Sequence, residues 1–164
     1  MTVSTADIQY RLSGGAANSS PSASLGGVKS TATASVDVFD SVSSTEAGAG
    51  RVEYRCVYVH NNNATDSLNN AYAWINSNTP STTTDINIGL GSSATNATEQ
   101  TVSNETTAPI GVTFSAAASK GAGLNLGSIP AGQGRAVWIR RTVNAGTVPV
   151  GSDPFTIRVE GETV

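Results

Sequence analysis

Leu126-Gly-Ser-Ile-Pro-Ala-Gly-Gln-Gly-Arg-Ala-Val-Trp-Ile-Arg-Arg-Thr-Val143 is the stretch whose reading decides the fold class. Pro130 fixes its own backbone angle and Gly132 tolerates positive φ, so Pro-Ala-Gly reads as a tight reversal between two extended segments. In the segment that follows, Arg135, Val137, Ile139 and Arg141 share one face, and Ala136, Trp138 and Arg140 share the other. Each face runs from apolar to cationic, as expected of a strand with its middle in the core and its end at a rim.

The same period of two recurs along the chain. Residues 8–12, 35–40, 51–60, 71–75, 85–90, 99–103, 110–114, 124–129 and 155–160 all read as strands. In residues 51–60, Val52, Tyr54, Cys56, Tyr58 and His60 are assigned to the core, with the far half covered on both sides. Tyr72 and Trp74 share a face, so Trp74 is expected to plug the core. Ile86, Ile88 and Leu90 point inward, as do Ile110, Val112 and Phe114. Between these segments lie turns rich in Asn, Gly, Ser and Pro, such as residues 61–66, while residues 41–50 read as a loop. With no amphipathic run of helical period and no crossover helices, a parallel α/β sheet is disfavoured. The prediction is an all-β protein, an antiparallel β-sandwich of immunoglobulin-like or jelly-roll type. Residues 30–164 form the sandwich domain. Residues 1–29 are set apart as an extended N-terminal arm or partly ordered segment, either mobile or laid against a neighbour, because the small side chains of residues 13–29 bury little apolar area by themselves.

The chain has 164 residues, enough for one domain with a real core. Only 13% of residues are charged and the net charge is -3. A neutral, hydroxyl-rich surface of this kind argues against nucleic acid as the main partner and gives no pull toward anionic membranes. No segment approaches the about 20 apolar residues of a membrane helix, and the first residues carry neither a cationic start nor an apolar run. The chain is therefore expected to be soluble and made in the cytoplasm.

Catalytic chemistry finds little material. His60 is the only histidine, which removes multi-histidine metal centres, and Cys56 is the only cysteine, which removes thiolate clusters and intrachain disulfides. Cys56 is expected to be a buried, inert thiol. A Ser-His-Asp arrangement is open only through His60 and Asp66, without a recognisable nucleophile turn, so His60 is read as capping a strand end. Asp37 with Asp40, or Asp85 with a loop carbonyl, are read as solvated turn residues rather than calcium ligands. No enzyme activity, cofactor or metal is expected. Arg135, Arg140 and Arg141, together with Arg11, are the candidate interface residues. Their stems either cover the sandwich rim, or their planar guanidinium groups grip carboxylates or carbonyls of a neighbouring subunit.

Several short motifs add a resemblance: Ile8-Gln-Tyr-Arg-Leu-Ser-Gly-Gly15, Leu25-Gly-Gly27, Cys56-Val-Tyr-Val-His-Asn61, Ala73-Trp-Ile75, Ile88-Gly-Leu-Gly91 and Ile129-Pro-Ala-Gly132 with its Val137-Trp-Ile-Arg-Arg141 continuation. Through these the chain resembles small virion structural proteins of tailed bacteriophages, of the head decoration (cement) or tail-associated type. The resemblance implies a β-rich, oligomeric protein of the virion, made in the host cytoplasm. Its partners would be the major capsid protein and neighbouring copies of itself. It carries over no catalytic residue. A tail or neck protein is the nearest alternative. A carbohydrate-binding or adhesive module is the other, and it requires an exposed aromatic platform from Trp74, Trp138, Tyr10 or Tyr72.

Overall fold

The computed structural model describes residues 2–34, 37–150 and 152–163. Its centre is β3 (Arg51–Asn61), paired antiparallel with β9 (Gly134–Val143) from Arg51 opposite Val143 to His60 opposite Gly134. On the far side of β9 lies β5 (Thr84–Leu90), and on the far side of β3 lies β1 (Ile8–Leu12). The two-residue β7 (Phe114–Ser115) closes a five-stranded sheet of order β1-β3-β9-β5-β7. Strands in the middle of a sheet covered on both faces carry apolar residues at odd and even positions alike. This is why the middles of the two strands, Cys56-Val-Tyr-Val59 in β3 and Ala136-Val-Trp-Ile139 in β9, are continuous apolar runs.

One face of this sheet presents Val57, Val59, Ile86, Ile88, Val137 and Ile139. Against it packs a three-stranded sheet of order β10-β4-β8, made of β4 (Leu68–Ser77), β8 (Leu124–Ile129) and β10 (Thr156–Glu162). Leu68, Ala71, Ala73, Ile75, Leu126 and Ile129 complete this core. The opposite face gathers Tyr54, Cys56, Tyr58, Ala136 and Trp138 with Val102 into a second apolar cluster. A thin layer covers it, in which β2 (Gly26–Gly27) pairs with β6 (Glu99–Thr101) and Leu25, Val112 and Phe114 pack from loops and β7. The molecule is an antiparallel all-β sandwich with a third, partial layer. No helix among the described residues is long and apolar enough to cross a membrane.

Several segments depart from the sequence reading for identifiable reasons. Residues 41–50 are not all loop, since Ser44–Ala49 forms the short helix α1. Ser43 Oγ accepts from the Glu46 amide, the Glu46 side chain returns to the Ser43 amide, and Gly50 ends the turn at φ 77°. That is a capping box. Of the strand expected over 35–40, residues 35 and 36 lie outside the described residues, and Asp37–Asp40 is irregular. Ile110 is 85% exposed rather than inward, because the Gln100 side chain captures both its amide and its carbonyl at 2.8 Å, leaving neither for a strand partner. Val52 is 39% exposed, beyond the reach of the second cluster. Ala71, Ala73 and Ile75, not Tyr72 and Trp74, form the inner face of β4. Trp74 is still buried on the outer side, where the Arg158 guanidinium lies 5.5 Å from its ring centroid.

Residues 13–29 lie against their own chain. Ser13 Oγ donates to the Cys56 carbonyl at 2.7 Å, the Cys56 amide donates to the Ser24 carbonyl at 2.8 Å, and the Val102 amide donates to the Leu25 carbonyl at 3.0 Å. Ser13, Ser24 and Ser30 are buried. Here small side chains permit close backbone approach instead of mobility. A Cβ on Gly26, at φ 95°, would sit 1.8 Å from the Gln100 carbonyl oxygen.

Candidate functional site

The register divides the four candidate arginines between the two faces of the central sheet. Arg11 lies opposite Tyr58 and Arg140 opposite Tyr54, on the face of the second cluster. Arg135 lies opposite Val59 and Arg141 opposite Glu53, on the inter-sheet face. Each is engaged within the chain. Arg11 Nη1 donates to the Thr31 carbonyl at 3.0 Å and Nη2 to Asn62 Oδ1 at 3.1 Å. Arg135 donates to the Ser93 carbonyl, and Arg140 donates to Asn87 Oδ1 while its guanidinium lies 5.2 Å from the Phe114 centroid. The four do not converge on one patch.

Arg141 instead belongs to a network that alternation did not reveal. Glu53 and Arg55 are fully buried on the inter-sheet face, next in line to Val57. Glu53 accepts from Arg51 Nε at 2.8 Å and from Arg141 through Nε at 2.7 Å and through Nη2. Arg55 Nη2 donates to Glu105 Oε2 at 2.5 Å, and Arg51 reaches Glu105 and, at 2.8 Å, Glu46. Phe39 inserts its ring beneath the guanidinium groups of Arg141, at 4.7 Å, and Arg55, at 5.4 Å. Burial resists ionisation of Glu105, but Arg55 and then Arg51 outweigh it and hold the carboxyl below its ordinary range. The signal in the sequence is Glu53-Tyr-Arg55, opposite charges two apart on the face that continues as Val57 and Val59.

Asp40, Glu53 and Glu105 each place an oxygen within 4.8 Å of the others, a spacing that invites comparison with a metal site. Glu53 and Glu105 accept from guanidinium groups, and Asp40 Oδ1 lies 3.6 Å from both Arg55 and Arg141. The cations already present fill the role that a metal ion would take, so this is a buried ion-pair network. Asp85, near the start of β5, accepts from the Asn78 and Asn87 side chains.

His60 is 5% exposed, and its Nδ1 lies 3.0 Å from Lys29 Nζ. A catalytic triad would place a carboxylate at this nitrogen. Burial, with the Lys29 and Arg11 charges, pushes the imidazole down to about 4. Cys56 is fully buried, and burial pushes its thiol up, away from nucleophilic use. Glu99 is buried too. Burial opposes its charge, yet the Ser93 hydroxyl and amide, with the Ser92 hydroxyl, hold the carboxyl at about 2. Through it the loop after β5 is clamped onto β6.

A cleft of about 1150 Å³ opens on the inter-sheet face. Val57, Ile86 and Ile139 form its floor, Phe39 and Phe155 stand in its walls, and Val148 and Val150 lie at its border. Phe39 and Phe155 meet at 6.4 Å between centroids. Comparison with family models, curated proteins and solved structures returned no match.

Proposed function

We propose that this chain is a structural virion subunit of a tailed bacteriophage, a decoration protein that binds the outer surface of the major capsid protein and stabilises the head shell. Its function would then rest on surface complementarity and not on chemistry. The observation that carries this reading is the fate of the polar groups. His60 faces a lysine, Cys56 is sealed in the core, and the carboxylates that cluster are each matched by arginine. What remains outside is a hydroxyl-rich, weakly charged surface suited to repeated, closely fitted contacts. The short motifs that resemble virion proteins favour the same reading.

Trp138 is 0% and Trp74 7% exposed, so neither offers the open aromatic face on which sugar rings stack, and the carbohydrate-binding alternative keeps only the half-buried Tyr10 and Tyr72 of its four candidates. Residues 13–29 are bound to their own sheet, so the contact with the shell is assigned to the folded surface and not to a free arm. The test is the ratio of this chain to the major capsid protein in purified particles, by quantitative mass spectrometry. A fixed ratio set by the shell lattice is expected. A few copies per particle would move the chain to the tail or neck, and absence from particles would overturn the reading.

A further inference from the structure

Most of the cations in the chain are matched by carboxylates. Arg51, Arg55 and Arg141 pair with glutamates at the inter-sheet face, and Lys120 and Arg158 both reach Glu160. Arg11 and Lys29 meet only neutral acceptors among the described residues. Arg11 holds Gln9 Oε1 through Nε at 3.1 Å and through Nη2 at 2.8 Å, and it also donates to the Thr31 carbonyl and Asn62 Oδ1. Lys29 Nζ meets His60 Nδ1 at 3.0 Å and donates to the Gly132 carbonyl at 3.3 Å. By donor count, each cation keeps one N–H uncommitted. Asp7, whose carbonyl accepts from the Asn62 amide, turns its carboxylate to Ser4 and Asn63. The chain has twelve acidic residues to nine basic ones, yet none is ion-paired here.

Arg135 and Arg140 also meet neutral acceptors, but Arg11 and Lys29 lie together. Arg11 stands opposite Tyr58 in β3, so the His60 side chain, two residues along, is its diagonal neighbour on the same face. Lys29 Nζ lies at the Nδ1 of that imidazole. Burial first, and then the Arg11 charge, hold the Lys29 ammonium below its ordinary range. Both cations are half-buried, so an incoming ion can reach them. Two like charges partly withdrawn from water raise each other's cost, and a counter-ion relieves it.

We propose that Arg11 and Lys29 form a binding site for a doubly charged oxyanion, sulfate or phosphate, where the end of β3 meets the turn at residues 130–133. Two charges on the ion match the two unpaired cations, whereas a single carboxylate leaves one of them unmatched. Arg11 is fixed by Gln9 and Thr31, and Lys29 by His60 and Gly132, so little ordering opposes binding. The site stands whether or not the chain belongs to a virion.

The probe is sodium sulfate, exchanged for chloride at constant ionic strength and near-neutral pH, with the full chain. The readout is the imidazole signal of His60 by nuclear magnetic resonance, unambiguous because the chain has one histidine. A saturating shift is expected with sulfate, and acetate should bind at least about tenfold more weakly. Arg11→Gln and Lys29→Gln keep a donor and drop the charge, and each should weaken sulfate binding at least about fivefold. Amide signals unchanged away from the site show that the variants keep the fold. If a variant fails to fold, the comparison of sulfate with acetate on the wild-type chain still decides. A shift that grows linearly without saturating would overturn the proposal. Acetate binding as tightly as sulfate would also overturn it, by giving the site to a carboxylate. Saturation that survives both substitutions would overturn it too, by marking an adventitious ion only.

Discussion

Glu53 and Arg55 are a buried opposite-charge pair on one strand, and each depends on a partner from elsewhere in the chain. Removing one member of such a network leaves unmatched charge: without Arg55, Glu105, a quarter exposed, keeps only Arg51. Arg55→Met is therefore expected to lower stability by about 3 kcal/mol, read by urea denaturation. An unchanged midpoint would mean that Glu105 and Asp40 are not held by Arg55. His60 and Glu99 set a pH dependence. Folded His60 takes up its proton only near 4, whereas the unfolded residue does so near 6.5, so the unfolded state binds more protons between these values. Stability should fall as pH drops from about 6.5 to about 4, and His60→Gln should flatten this part of the curve. Glu99, held at about 2 in the fold, contributes stability above its unfolded value near 4.3 that is lost as pH falls through 2. Thermal midpoints measured at successive pH values separate the two windows. Identical slopes for the wild type and the Gln variant between pH 6.5 and 4 would contradict the assignment to His60.

The strands that sequence alternation makes plain are those whose partners also alternate. Residues 134–143 read correctly because Val137 and Ile139 meet one core while Ala136 and Trp138 meet the other. Ile110 misleads because its backbone is captured by Gln100, ten residues earlier, through side-chain hydrogen bonds that no hydrophobic pattern records. Helix α1 is written in the sequence as Ser43-Ser-Thr-Glu46, a local signal that a loop-like composition conceals. Glu53 and Arg55 were legible only as an anomaly, since pairing charges with Arg51, Arg141 and Glu105 requires the fold. Residues 13–29 are the sharpest case. Their composition suits a mobile arm equally well, and only the buried hydroxyls and close glycine contacts reveal a packed layer. Gly26→Ala is accordingly expected to destabilise by at least about 2 kcal/mol, through both its positive φ and the Gln100 contact, and thermal melting reads it. A neutral substitution would indicate that β2 is not held against β6.

Taken whole, the molecule joins two cores across one central sheet, with the N-terminal segment as part of the covering layer. Tyr10 ties the two sheets together through its hydroxyl bond to Ile157, and burial pushes its phenol up to about 12. A rigid body of this kind can present a preformed surface to a partner without an ordering cost. Deletion of residues 1–29 should remove β1 and uncover Cys56, so that the remaining chain unfolds at lower denaturant and its thiol reacts with a thiol reagent. Native-state hydrogen exchange tests this directly. The amides of Leu12, Ser24, Ser30 and Ala34 should be protected to a degree comparable with β3 and β9, because they are hydrogen-bonded in one cooperative unit. Exchange of these amides at unstructured rates, with β3 and β9 still protected, would show a free arm and contradict the account.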